Sequence, residues 1–209
     1  MLSKPTTWLA LSAAAAVAAI AFAAWSLTAP KPTTASAAVP SGLAADIVIP
    51  PRSQAAPDFV LTDQNGQTVT VSGLKGKVVA VTFLDSHCKQ LCPIEADQLS
   101  QTQRALGGKT PMTLLVVSVA PATDTPDSER AFAASHHWTG DWHWLSGTPD
   151  QLAAVWKTYS IAVQNSPDDI LHSSVVYLID RKGYERAGWA AGLQPALLIH
   201  DVRLLNTQA

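Results

Sequence analysis

Seven residues, Val78-Val79-Ala80-Val81-Thr82-Phe83-Leu84, lead through Asp85 into Ser86-His87-Cys88-Lys89-Gln90-Leu91-Cys92-Pro93, which holds both cysteines of the chain. A run this short, apolar and rich in β-branched residues suits a buried central strand better than a helix. Beyond it, Leu91, Ile94, Leu99 and Leu106 recur at an approximate helical period. The paired thiols therefore stand at a strand-to-helix junction. A strand buried on both faces needs covering layers on each side, so the junction points to a layered α/β domain.

The spacing puts the two sulfurs about one helical turn apart, on one face. Unpaired N–H groups and the partial positive charge at a helix N-terminus favour thiolate over thiol, which makes such a pair ready to bind metal or to oxidise. A structural disulfide of an exported protein is the plainer alternative. Two cysteines are too few for a disulfide scaffold, and a closed structural zinc site needs four protein ligands.

With 209 residues, the first fifty or so unlike the rest, the chain has room for one globular domain of roughly 150 residues. Its net charge of −2 comes from 14 basic and 16 acidic side chains without a Lys/Arg cluster, so nucleic-acid binding has no electrostatic support. Trp8 to Leu27 is an uncharged stretch of Ala, Leu, Val, Ile, Phe and two Trp, long enough to cross a bilayer. Trp near each end suits the interfacial belt, and Lys4 places the N-terminal side in the cytoplasm. A cleaved signal peptide is the alternative, with Ala35-Ser36-Ala37 as processing site. No Cys follows the span closely, which argues against lipoprotein processing. Residues 1–27 are thus expected to form a membrane anchor or signal peptide and 28–54, rich in Pro and Ala, a tether. Residues 55–207 form the folded domain. Either N-terminal reading exports that domain, so its thiols work in an oxidising compartment.

The domain begins near Pro57, with Phe59–Thr62 and Thr68–Val71 as a hairpin around Asn65-Gly66. After the Val78–Leu84 strand and the cysteine helix, Gly107-Gly108 gives a stop and Met112–Val119 a second apolar strand. Thr125-Pro126 opens a helix to about His137, and Trp142–Leu145 reads as a short extended segment. Thr148 and Gln151 have capping-box spacing ahead of a helix carrying Leu152, Val155, Trp156 and Tyr159. Gln164–Asp169 is a polar loop. Val175–Ile179 then forms a strand, turned by Asp180–Gly183 into a hairpin with Arg186–Trp189, and a last helix runs from Pro195 to about Leu205. The alternation means a mostly parallel sheet covered on both faces, with antiparallel hairpins at its ends.

Six histidines could join the thiols. His136 and His137 read as solvated helix-end residues, His143 as a packing or edge residue, and His200 gives no signal. His87 adjoins Cys88, yet consecutive residues seldom point the same way. His172 precedes a central apolar strand, on a loop that can face the cysteine junction.

At this point the sequence resembles the Sco/SenC family, thioredoxin-like copper-binding assembly factors for cytochrome c oxidase. The resemblance covers most of residues 57–190. It rests on Phe59–Gly66, Cys88-x-x-x-Cys92-Pro93, Asp124-Thr125-Pro126, Leu145–Thr148, and His172-Ser173 followed by Val176–Asp180 and Gly183. It implies a thioredoxin-like fold and copper held by Cys88, Cys92 and His172, a donor set that suits Cu(I) and can hold Cu(II) if a further ligand joins. The implied partners are the oxidase subunit with the binuclear copper centre, other copper chaperones and a thiol reductant. The implied location is a bacterial cell membrane, single-pass, with the domain on the periplasmic side. The chain departs from the family at Lys89 and Gln90, at Leu171 and at Ala120-Pro121, where acidic residues or Pro are usual. Two other functions stay open, a thiol-disulfide oxidoreductase acting on the oxidase's copper-site cysteines and a copper or redox sensor.

Overall fold

The computed structural model describes residues 42–165 and 170–208. The expected membrane segment and its alternative processing site lie outside them. No helix among the described residues is long and apolar enough to cross a membrane. The elements run β1 (Ile47–Val48), β2 (Val60–Asp63), β3 (Thr68–Thr70), β4 (Val78–Leu84), α1 (Leu91–Leu106), β5 (Met112–Ser118), α2 (Pro126–Ser135), β6 (Asp141–Ser146) and α3 (Pro149–Thr158). They continue with β7 (Val163–Asn165), β8 (Ile170–His172), β9 (Val175–Ile179), β10 (Glu185–Ala190) and α4 (Pro195–Thr207).

One sheet has the order β1-β10-β9-β4-β5-β6-β2-β3. Its centre, β4-β5-β6, is parallel, and the strands outside it pair antiparallel. Every residue of β4 and β5 is buried. Val78, Ala80 and Leu84 of β4 pack on one side with Ala96 and Leu99 of α1, Phe132 of α2, and Leu198 and Val202 of α4. Val79, Val81 and Phe83 pack on the other side with Phe59, Leu61, and Leu152 and Val155 of α3. Both faces of these strands are covered, so their sequences read as continuous apolar runs without polar alternation.

Local signals set the boundaries. Gly66 turns the β2–β3 hairpin at φ +77°, with its N–H donating to the Asp63 carbonyl. Gly107 closes α1 at φ +54°. Thr148 accepts from the Gln151 N–H while Gln151 accepts from the Thr148 N–H, the expected capping box on α3. Thr125 and Ser128 form a second one on α2.

Three expectations are corrected. The tether expected over 28–54 is not free of structure in its described part. There β1 pairs with β10, the Ile49 N–H donates to the Arg186 carbonyl, and the Ala44 N–H reaches the buried Asp201 carboxylate. Composition hides this docking, because it rests on a two-residue strand and long-range hydrogen bonds. The polar loop 164–169 is in part a ribbon, β7 against β8, held by the Val163–His172 register. Finally, α1 starts at Leu91 with Gln90 as N-cap, leaving Cys88 on the loop before it. Pro93 explains this start. Its ring would collide with the carbonyl of Lys89 and it has no N–H to offer there, so the helix cannot extend back past Gln90.

Candidate metal centre

The loop from Asp85 to Gln90 leaves the carboxyl end of β4, where α/β sheets of this kind carry their ligands. β9 pairs antiparallel with β4, in the register Val81 to Tyr177. The residues entering β9 therefore come alongside those leaving β4. This is how His172, some eighty positions further along the chain, meets the cysteine junction.

Cys92 lies in the first turn of α1, 1% exposed, and its Sγ is 3.5 Å from His172 Nε2. The two cysteines are not joined by a disulfide. Cys88 is half-buried and lines, with Gln90, Leu91, Cys92, Glu95 and His172, one cavity of about 70 Å³. A larger hollow of about 240 Å³ lies at the amino ends of β4, β5 and β6, between Lys77 and Asp141, and no Cys or His lines it. Both thiols and His172 line the smaller cavity.

The tautomer of His172 follows from its other nitrogen. Nδ1 is 3.0 Å from the Ser173 carbonyl, which can only accept, so Nδ1 carries the proton and Nε2 keeps its lone pair towards Cys92. Ser173 is itself pinned, its N–H donating to the Ala162 carbonyl and its Oγ accepting from the Ala162 N–H. A hydrogen bond to the far nitrogen that fixes the ring of a donor imidazole is a usual support for a metal ligand.

A buried carboxyl that the sequence did not advertise ties the pieces together. Glu95, on α1, takes hydrogen bonds from the Thr82 hydroxyl on β4 and, at 2.7 Å, from the Ser174 hydroxyl beyond His172. It thus links the strand before Cys88, the helix of Cys92 and the loop of His172. Burial pushes its carboxyl above the ordinary range, against the pull of both hydrogen bonds and of His172. The Thr82 hydroxyl also lies 3.1 Å from the Val175 carbonyl, so its proton is shared between the two acceptors.

The expected acidity of the thiols is corrected for Cys92. The hydrogen bond with Cys88, burial and the nearby charge of Glu95 push its thiol up, and a backbone hydrogen bond from Asp85 does not offset them. Without a cation, Cys92 is held towards its thiol form, with His172 Nε2 3.5 Å away. A thiophilic metal ion supplies the positive charge that would release that proton.

The remaining histidines have other settings. His143 Nδ1 is 2.9 Å from Asp63 and His136 Nδ1 is 2.8 Å from Asp97. His200 Nε2 donates to the Gly42 carbonyl. His87 points away from the thiols towards Asp85 and Asp124. Leu91 and Leu171, which line the cavity, are each more than half exposed, as is Ile94 further along α1.

A mixed sheet with paired thiols at the carboxyl end of its central strand defines a thioredoxin-like domain, here with an imidazole facing the thiols. The chain belongs to the SCO1/SenC family, whose model matches residues 49–205. It is 37% identical over 136 residues to the mitochondrial protein SCO2 of Saccharomyces cerevisiae, covering 60% of this chain and 44% of that one. With the mitochondrial SCO2 homolog of Bos taurus it shares 29% over 161 residues, covering 68% and 58%. The chain thus spans about half the length of these two relatives. Among solved structures, copper-bound ScoI of Bradyrhizobium japonicum is 30% identical at a TM-score of 0.64, covering 72% of this chain and 99% of that one. BsSco, a member of the Sco family of cytochrome c oxidase assembly proteins, shares the fold at a TM-score of 0.64 and 23% identity, covering 78% and 99%.

Proposed function

We propose that this protein binds copper in the assembly of cytochrome c oxidase, holding the ion between Cys88, Cys92 and His172 and passing it to the oxidase's binuclear copper centre. One observation carries the reading. The unprotonated Nε2 of His172 faces Cys92 Sγ at 3.5 Å over a cavity that Cys88 also lines. Two sulfurs and an imidazole suit Cu(I), and a coordination set completed by three protein donors at a surface cavity leaves room for an acceptor's thiolate. Copper is the cargo here and has to leave again. The exposed Leu91 and Leu171 at the cavity supply an apolar face on which a partner can seat while the ion changes hands. The uncharged run Trp8–Leu27 serves as membrane anchor, with the domain on the outer side.

Copper titration of the reduced wild type, Cys88→Ser and His172→Ala, followed by absorption spectroscopy, tests this. Wild type should retain stoichiometric copper against a moderate chelator and, as Cu(II), show a sulfur-to-copper charge-transfer band. Either variant should lose both. A band that survives in one variant rejects that residue as an essential ligand.

A second reading has an observation of its own. Cys88 is half-exposed and Cys92 fully buried, the order in which an attacking and a resolving thiol are placed. In that reading the Cys88 thiolate attacks a partner disulfide and Cys92 displaces the partner. Two thiols become one disulfide here, and the partner gains the two electrons and two protons. Exchange with a disulfide peptide, measured without copper, separates this activity from metal binding.

A further inference from the structure

Basic residues that lie scattered in the sequence are gathered by the fold at one end of the sheet. β9 runs antiparallel to β4 with Val79 opposite Ile179, so the Asp180–Gly183 turn stands beside the start of β4, at the end opposite the thiols. Arg181 ties that turn to the segment before β4. Its Nε donates to the Gly76 carbonyl at 2.9 Å and its carbonyl accepts from the Gly76 N–H at 2.8 Å. Arg181 lines a hollow of about 410 Å³ together with Arg52, Lys182 and Arg186. It also lines a second, of about 510 Å³, with Lys109 ahead of β5 and Arg203 of α4. Lys75 lies against the same turn, since a Cβ on Gly183 would stand 3.3 Å from Lys75 Cε.

Charge around these hollows is not balanced. The Arg186 side chain, 8% exposed, pairs with Asp180 at 3.3 Å, and among the described residues no other carboxylate lines either hollow. Arg52, Lys109, Arg181 and Arg203 are all exposed and form no ion pair among the described residues. The whole chain has a net charge of −2, so a basic composition does not account for this concentration. Like charges gathered around shared hollows repel one another, and an anion seated between them relieves that repulsion. The bond to Gly76 holds the Arg181 guanidinium where the two hollows meet, and its terminal amino groups donate to nothing among the described residues.

We propose that this end of the molecule is a binding site for phosphate oxyanions, centred on Arg181 and completed by Arg52, Lys109 and Arg203. The planar fork of arginine matches the spacing of phosphate oxygens and forms two charge-assisted hydrogen bonds at once, to which lysine adds a point charge. Two hollows that share Arg181, with cations around both, fit a ligand carrying several negative charges better than a single small ion. The phosphate can be free in solution or belong to the headgroup of an anionic lipid, since the recognising chemistry is the same. Bound there, it leaves the thiol cavity at the other end of the sheet open. The inference does not rest on the thiols binding copper.

Calorimetric titration of the metal-free, full-length chain in nonionic detergent with sodium pyrophosphate tests this. Saturable binding is expected, weakening as sodium chloride is added. Arg181→Gln should weaken it about tenfold, the lower end of what a hydrogen bond to a charged group contributes. Arg181→Lys, which keeps the charge and loses the fork, should recover part of that loss. Lys109→Gln, at an exposed side chain, should act in the same direction as Arg181→Gln, whereas Lys157→Gln, at an exposed lysine that lines neither hollow, should change nothing. If pyrophosphate does not bind, or binds Arg181→Gln and Lys109→Gln as well as wild type, the proposal is overturned. Repeating the titration in nanodiscs separates the two sources. Binding lost with phosphatidylglycerol in the disc, but kept with phosphatidylcholine alone, means that lipid headgroups fill the site, and binding kept in both assigns it to free phosphate compounds. Failure of the thiols to hold copper leaves each of these results untouched.

Discussion

At the scale of single residues, Glu95 has the clearest consequences. Its carboxyl is raised above the ordinary value of 4.5 because it is buried. A raised value means that the folded state favours the protonated form. The stability Glu95 contributes is complete below the unfolded-state value and is lost as pH climbs through the higher folded one. In metal-free protein, Glu95→Gln, which copies the neutral carboxyl, should therefore gain on wild type as pH rises from about 5 to about 8. Urea unfolding at both ends of that range measures it, and a pH-independent gap would show that Glu95 keeps one protonation state. Glu95→Ala takes the acceptor from the Ser174 hydroxyl and leaves that of Thr82 only the Val175 carbonyl, and should cost about 1–3 kcal/mol at any pH. It should also loosen His172, seen as weaker copper binding than in the Gln variant.

At the scale of elements, much was written in local pattern. The continuous apolar runs of β4 and β5, the Asn-Gly turn and the Thr148 box are all short-range signals, and each element formed where its residues said. Thr148→Ala should accordingly lower stability by about 1 kcal/mol in chemical denaturation and leave copper binding unchanged. The candidate site was legible unevenly. Cys88 and Cys92 stand out by their type, but His172 gains meaning only from the β4–β9 pairing and from family resemblance. The Glu95 link was illegible, since tertiary folding brings Glu95 to Thr82, 13 positions before it, and to Ser174, 79 positions after it. The start of α1 could have been read from Pro93, which bars a helix through Cys88. The acidity expected of Cys92 failed because a helix N-terminus is a weak source of charge beside the hydrogen bond with Cys88 and burial.

At the scale of the whole molecule, the sheet ends in two very short strands, β1 with two residues and β3 with three. Sequence composition would start the domain at residue 55, and a protein begun there would lack β1. It would also lose Asp46, whose carboxylate takes the Ala190 N–H, and the Ala44 bond that occupies the buried Asp201. Such a truncation should melt several degrees lower than a chain begun at residue 42, on the order of the 4–8 °C per kcal/mol typical of small domains. Light scattering should show a further effect. Without β1 the six residues of β10 present a bare row of N–H and carbonyl groups, a surface on which another copy can build by adding its own strand. The few residues that look like idle linker thus act as a guard against self-association, and they do so on the stretch of chain through which any membrane anchor must hold the domain.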